Sequence, residues 1–409
     1  MATFTTHGSP LKLKWLGMLR AGLLSLVFLG SGAFLDGLTA PAVPPGLAGP
    51  AHGRLEVSTF YLEAPDELLR LGTMPDQRPV WRLPGTDPQA ALSALAAAGL
   101  DARSVSTLAS AGVVSIDADK ITILPPLELL LSLSSSARQG VYTLLAGNGL
   151  NPHHERPQIM AGDLDEWMRT SALSLRQKEV LKALIWRPNG AQAFSDVSAL
   201  MAVGESAAEA EEARRVMTRV RTLRVRVLPP AGEAKARFVD YWTAGGSNRS
   251  AAPLVSSALD EAPGVGIDLA LLLPPLARER IYTYPSFEDA IGGRMPDCNW
   301  TSLNFFAARP QPYYLDSKTS YTALMQEYEA VARAERFGDL IAFVSAGGLV
   351  LHTCLLVAED IVFTKNGQSA FAPWLLQRLA DVSAIYGGAD RSVRVFRLRA
   401  PPSIESAPR

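Results

Sequence analysis

Residues 297–306 read Asp-Cys-Asn-Trp-Thr-Ser-Leu-Asn-Phe-Phe, and this stretch decides how the last third of the chain folds. Asp297 is a good helix N-cap, and the apolar residues Trp300 and Leu303 follow it at helical spacing. The pattern therefore predicts a helix that has Cys298 in its first turn. Because the amino end of a helix carries partial positive charge and free N–H groups, we expect this position to favour the thiolate and to lower the pKa of Cys298.

Apolar segments after this helix predict antiparallel strands. A second helix is expected from Thr319 to Glu335, and a Gly-Asp turn then leads into a strand at Leu340. The next strand, Leu349–Val357, is joined by a three-residue turn to a further strand, Ile361–Gly367. These elements predict a central antiparallel sheet packed on the cysteine-bearing helix.

The register across the three-residue turn places polar residues opposite each other. If Val357 pairs with Ile361, then His352 pairs with Asn366 on the same face of the sheet. Asn366 could then accept a hydrogen bond from one imidazole N–H and fix the tautomer whose other nitrogen faces the thiol. A two-residue turn would shift the face, and Lys365 is then the alternative polar residue.

The order of these features resembles that of NlpC-type papain-like cysteine peptidases and amidases, over roughly Ile281–Tyr386. The shared features are Asp-Cys at a helix start, Gly-Asp-Leu before a strand, a histidine within the next strand and a polar residue on the strand after it. The resemblance implies that Cys298 is the nucleophile, His352 the general base and Asn366 the orienting residue. Tyr284 resembles the tyrosine that precedes the cysteine in that family.

The sequence also departs from the family pattern. The family usually has Asp-Cys-Ser-Gly where this chain has Asp-Cys-Asn-Trp, and His-Val-Gly where it has His-Thr-Cys. Asp297 remains a possible supporting residue, and Trp300 in place of a small residue would narrow the cleft. Family members commonly cleave amide bonds in cell-wall peptides, so the resemblance implies a peptide or peptidoglycan-like substrate and no metal or organic cofactor.

The chain contains two cysteines, Cys298 and Cys354, and they allow two interpretations. They could form a disulfide, since the amino-terminal sequence predicts an oxidising compartment. Alternatively, Cys298 is a nucleophile and Cys354 a structural thiol. The helix cap and the downstream histidine favour the second interpretation, which requires both thiols to be free.

The amino-terminal part predicts export and a separate module. Residues 1–40 have basic residues before an apolar run and small residues after it, which is typical of a signal peptide or an N-terminal anchor. Residues 41–53 are rich in Pro, Gly and Ala and predict a linker. We expect a mainly helical module over 54–245 and the NlpC-like domain over 251–400, and hence an α+β protein that is periplasmic or extracellular.

Within the helical module the sequence predicts short β-hairpins. Val113–Ile116 and Ile121–Leu124 alternate as two strands, and a long helix is expected to run from Pro125 to Leu145. From Leu223 to Trp242 the pattern predicts a second hairpin with a basic face.

Composition excludes some functions and leaves others open. Hydrophobic residues make up 48% of the chain and charged residues 19%, which is typical of a globular protein. The formal net charge of −1 gives no general attraction to nucleic acid, and a membrane is implied only through the amino-terminal segment. Two alternatives to a hydrolase stay open: a non-catalytic envelope binding protein that keeps a papain-like fold, and a thiol acyltransferase.

Overall fold

A computed structural model describes residues 50–399, except 72–77, 111–113, 118, 161, 232–233, 261–264 and 389. The predicted signal peptide and most of the predicted linker lie outside the described residues. Within the described part, none of the helices combines the length and the hydrophobicity that a bilayer crossing requires.

The first half of the chain is mainly helical, with short strands between the helices. Its elements are β1 (Arg54–Leu62), α1 (Asp66–Leu69), β2 (Trp81–Pro84), α2 (Pro88–Ala97), α3 (Ala102–Ser110), β3 (Val114–Asp117), β4 (Lys120–Ile123), α4 (Leu127–Ser132), α5 (Ser135–Ala146), α6 (Pro152–Glu155), β5 (Gln158–Ile159), α7 (Leu164–Arg169), α8 (Leu175–Ala183), β6 (Ala193–Phe194), α9 (Val197–Ala202), α10 (Ala207–Val216) and β7 (Val220–Leu228). The predicted hairpin β3–β4 is confirmed, with Ile116 paired to Ile121.

The second half begins with helices and ends with a sheet. Its elements are α11 (Ala234–Thr243), α12 (Ala252–Asp260), β8 (Ile267–Asp268), α13 (Leu269–Leu272), α14 (Pro275–Arg280), α15 (Phe287–Gly292), α16 (Cys298–Leu303), α17 (Ser317–Glu327), β9 (Tyr328–Val331), β10 (Leu340–Ser345), β11 (Val350–Ala358), β12 (Ile361–Lys365), β13 (Trp374–Arg378), α18 (Leu379–Tyr386) and β14 (Arg391–Leu398). Short 3₁₀ helices connect some of these elements, and those in the described residues lie at Pro188–Gly190, Ala244–Gly246, Arg249–Ala251 and Pro312–Leu315.

A six-stranded sheet carries the candidate site. Its strands are ordered β13-β12-β11-β10-β14-β9, and every neighbouring pair is antiparallel. Helix α16 packs on one face of the sheet, while α18 covers part of the other. The prediction of a mixed helix and strand protein with antiparallel sheets is confirmed.

The buried apolar side chains form two large cores. The first core contains residues between Trp81 and Met217. The second core contains residues between Leu223 and Phe396, and these include residues of α16 and of one face of the six-stranded sheet. Strand β1 pairs with β7 along its whole length, from Arg54 opposite Leu228 to Leu62 opposite Val220, and Leu55 and Val57 pack against the second core.

The predicted hairpin over Leu223–Trp242 is wrong in its second arm. Residues 234–243 form helix α11, and β7 pairs instead with β1 along its whole length and with the short strand β8 on its other edge. Phe238 and Trp242 are four residues apart, so they lie on the same face of a helix, and both are fully buried in the second core. The basic residues Arg224 and Arg226 do lie on an exposed face, where each forms an ion pair with a nearby carboxylate.

Two predicted helices are shorter in the structure. The predicted helix from Pro125 to Leu145 is divided into α4 and α5, because Ser134 leaves the helical conformation and caps α5 by accepting from the Ala137 N–H. The predicted helix from Thr319 ends at Glu327, after which Tyr328 begins the edge strand β9.

Candidate active site

Cys298 is the first residue of α16, as the sequence predicts. The Asp297 side chain caps the helix by accepting from the Trp300 N–H at 2.8 Å. Trp300 and Phe305 bury the helix against the second core. The thiol is consequently held between the helix start and the sheet, with 7% of the residue exposed.

The pKa of the Cys298 thiol is raised to about 11, and the expected depression is therefore wrong. Burial is the main cause, and the negative charge of Asp297 adds to it. Hydrogen bonds from Thr353 and Asn299 oppose the rise without cancelling it. The helix has six residues, so its dipole is small compared with the cost of charging a sulfur that water does not reach.

Lys365 lies under the same end of the helix. Strands β11 and β12 pair Leu355 with Phe363, and the same register continued by two residues places Thr353 opposite Lys365. The Thr353 hydroxyl bonds to Ser302 at 3.0 Å and to Asn299 at 3.3 Å, so this face of the sheet is the one that meets α16.

Lys365 is fully buried, and burial lowers its pKa to about 8, while the charges of Asp297 and Cys298 act to raise it. Its Nζ donates to the carbonyl of Gly367 at 2.8 Å and to that of Ser369 at 3.1 Å. An amine that gives two N–H bonds in this way has one position left, which is a lone pair when the amine is neutral. The structure thus places a potential proton acceptor in electrostatic contact with the thiol.

His352 lies on the other face of the sheet. Neighbouring residues of a strand point to opposite faces, and the adjacent Thr353 points to α16. The imidazole of His352 stacks on the ring of Tyr386, with centroids 4.0 Å apart, and packs near Phe343. Neither ring nitrogen of His352 forms a hydrogen bond with Cys298, because Nε2 bonds to Thr364 and Nδ1 has no partner among the described residues.

A chain of polar side chains surrounds Nε2 of His352. This nitrogen lies 2.8 Å from the Thr364 hydroxyl, which donates a long bond of 3.5 Å to the Asn366 side chain. Asn366 in turn donates to Gln377 at 3.0 Å. A Thr364 hydroxyl that donates to Asn366 can accept from His352, and this arrangement favours the tautomer that has its proton on Nε2 and its lone pair on Nδ1.

No family model, no curated protein and no solved structure matches this chain. The case for a function therefore rests on the geometry of the site.

The structure brings together some of the predicted site residues and separates others. Cys298, Asp297 and Lys365 form one cluster, whereas His352 and Asn366 belong to the chain on the opposite face. Tyr284 is half-buried near Glu63, and its hydroxyl has no hydrogen-bond partner in the described part of the chain.

Both cysteines are free, as the thiol interpretation requires. Cys354 is fully buried and packs in the small cluster under α18.

Two hydroxyl residues of the site, Thr353 and Thr364, were not predicted from the sequence. Thr364 takes the place next to the imidazole that was predicted for Asn366. Strand alternation was the signal that could have found Thr353, because the register that pairs His352 with Asn366 also pairs Thr353 with Lys365 on the other face. Close to the turn a bulge shifts the pairing, so that Ile361 lies opposite Ala358 and not opposite Val357.

The buried imidazole of His352 should make stability depend on pH. Burial lowers its pKa to about 3 in the folded protein, whereas an unfolded histidine titrates near 6.5. Below pH 6.5 the unfolded chain therefore binds a proton that the folded chain does not, and stability falls as the pH falls. At pH 5 the loss should be about 2 kcal/mol. Urea unfolding at pH 7 and pH 5 should show a smaller loss in His352→Gln, and equal losses would contradict the assignment.

Proposed function

We propose that this chain is an exported cysteine hydrolase that cleaves an amide or peptide bond by attack of Cys298. The observation that carries the proposal is the position of this thiol, at the start of a capped helix and in a cluster with a buried lysine whose pKa is near 8. A buried amine with this pKa is suited to accept a proton at neutral to mildly alkaline pH.

The proposed reaction has two acyl-transfer steps. The thiol proton moves to the Lys365 amine, the sulfur bonds to the substrate carbonyl carbon, and the C–N bond breaks as the leaving amine takes the proton back. Water then attacks the thioester, releases the acid and restores the thiol.

Two versions of this proposal differ in the residue that acts as the base. The family resemblance assigns the base to His352, with Asn366 as its orienting residue. The geometry favours Lys365, because its side chain is on the helix side of the sheet and His352 is on the other. In the Nε2–H tautomer of His352, Nδ1 can accept a proton. His352 is therefore the base only if the site rearranges so that the thiol contacts Nδ1.

The proposed substrate is a peptide. Cell-wall peptides are the candidates that the resemblance implies, and export would bring the enzyme to them. Acyl transfer to an amine or an alcohol uses the same thioester, with water replaced by the second substrate.

The experiment that tests the proposal combines labelling and cleavage. In a Cys354→Ala background, iodoacetamide should modify Cys298 in the folded protein, and mass spectrometry should find cleaved amides when the protein is incubated with cell-wall peptides. Cys298→Ala should lose both signals. Cleavage that survives in Cys298→Ala would overturn the proposal.

A second candidate function is a non-catalytic binding module, and the burial of the thiol favours it. Cys298 is 7% exposed and its pKa is raised to about 11, both of which are typical of a structural cysteine. If Cys298 resists iodoacetamide until urea unfolds the protein, this second candidate replaces the hydrolase.

A further inference from the structure

A groove opens beside the start of α16, between that helix, helix α17 and the β10–β11 hairpin. Its volume is about 80 Å³, which holds several water molecules at roughly 10–15 Å³ each. Two of its lining residues join it to the thiol: Asn299, the neighbour of Cys298, and Thr353, which bonds to the thiol. A ligand in this groove would therefore lie next to the proposed nucleophile.

All eleven residues that line the groove are uncharged. Its apolar walls are formed by Leu303, Leu324, Leu340, Leu349 and Val350. A charged group would lose its hydration there without gaining an ion pair, whereas an aliphatic group would be removed from water.

Three of the hydroxyl groups that line the groove are bonded to protein. Ser302 and Thr353 bond to each other at 3.0 Å, Thr353 donates to Asn299 at 3.3 Å, and Ser320 donates to the carbonyl of Tyr314 at 2.6 Å. A polar ligand would have to break these bonds before it could form its own. The leucine and valine walls therefore offer a ligand mainly apolar contact.

We propose that this groove binds an uncharged aliphatic part of the substrate, next to the amide bond that Cys298 attacks. The inference rests on the proposed function and adds a substrate class to it. Because the proposed substrate is a peptide, the occupant is an aliphatic peptide side chain, and a lipid acyl chain is the alternative that the test distinguishes.

Three chloroacetamides of similar length test the inference. Their tails are hexyl, 5-carboxypentyl and 5-aminopentyl, and the rate of Cys298 alkylation is measured for each by mass spectrometry in the Cys354→Ala background. The hexyl compound should react at least about tenfold faster than either charged compound, since burial of two methylenes has roughly this effect. Equal alkylation rates would overturn the groove inference, but they would not contradict the proposal that the Cys298 thiol is reactive. Leucyl and dodecyl tails then separate a peptide source from a lipid source.

A matched pair of variants tests the location. Leu349 is 37% exposed at the lip of the groove, and Leu271 is 47% exposed on α13, outside the groove lining. Leu349→Lys should reduce the preference for the hexyl over the carboxypentyl compound by at least about fivefold, because it brings a positive charge to the groove. Leu271→Lys should leave the preference unchanged. An identical preference in the two variants would overturn the location.

A binding measurement separates failure of the groove from failure of the thiol chemistry. N-hexylacetamide has no reactive carbon, so its binding to Cys298→Ala can be followed by NMR through the amide signals of Leu349 and Thr353. Shifts at these residues support the groove even if no chloroacetamide reacts, in which case only the proposed hydrolase fails. The absence of shifts at both residues overturns the groove.

Discussion

Replacement of Asp339 by alanine should lower the free energy of unfolding by about 3–5 kcal/mol. The Asp339 carboxylate is 1% exposed and accepts four hydrogen bonds. Two come from the backbone N–H groups of Glu335 and Arg336, at 2.8 and 2.9 Å, and two come from the Arg397 guanidinium, at 2.7 Å each. Its removal leaves the guanidinium and two N–H groups without their acceptor, at the point where β14 joins the turn before β10.

The surface pair Asp360–Arg378 is the matched control. These side chains are 48% and 32% exposed, so Asp360→Ala should cost no more than about 1 kcal/mol. Urea unfolding of both variants measures the difference. Arg397→Met, alone and with Asp339→Ala, completes a double-mutant cycle that should show strong coupling. Similar losses in Asp339→Ala and Asp360→Ala would show that the buried pair does not hold the sheet.

Replacement of Lys365 by methionine should slow the alkylation of Cys298 by about ten- to a thousandfold at pH 8. The substitution keeps the length and removes the charge that stabilises a thiolate, and each unit of rise in the thiol pKa lowers the thiolate fraction tenfold. In the wild type the Lys365 amine loses its proton as the pH passes about 8, whereas the thiol, whose pKa is raised to about 11, becomes fully reactive only at higher pH. In the variant the rise in alkylation rate should move to a higher pH than in the wild type.

Two further variants make the comparison specific. Lys235→Met removes an exposed lysine, bonded to the carbonyl of Leu259, and should not change the profile. His352→Gln should leave alkylation within a few-fold of wild type, because the ring lies on the other face of the sheet. If His352→Gln abolishes alkylation and Lys365→Met does not, the base is His352. If Lys365→Met does not fold, Lys365→Gln gives the same comparison, and alkylation of the folded variant at the wild-type rate would exclude Lys365.

Local rules were enough to predict much of the site. The cap at Asp297 depends on one side chain and one N–H group three residues ahead, and the structure has that bond. The strand pairs Leu355–Phe363 and Leu356–Val362 have the register that the sequence predicted. Gly338, which precedes Asp339, has a φ of 87°, and a β-carbon there would lie 2.3 Å from the Phe306 ring. The Gly-Asp motif is thus explained by packing as well as by the turn.

Effects that depend on the whole fold could not be predicted in the same way. The pKa of Cys298 is decided mainly by burial of the sulfur, and one of the residues that hydrogen-bond to it, Thr353, comes from β11, far away in sequence. The face on which His352 lies depends on which side of the sheet receives α16. Phe238 and Trp242 fit a strand pattern and a helix pattern equally well, and only the partner strand β1, far away in sequence, decides between them.

The pairing of β1 with β7 gives the chain the topology of a domain insertion. Leu62 lies opposite Val220, so residues 63–219 leave and re-enter the C-terminal fold at neighbouring points. The first core lies wholly within that segment, and the strands on either side of it are the two arms of one hairpin. A helical module attached in this way could be gained, lost or exchanged during evolution without a change in the register of either arm. During synthesis β1 is made early, but it can pair only after residues 63–219 and then β7 have been synthesised.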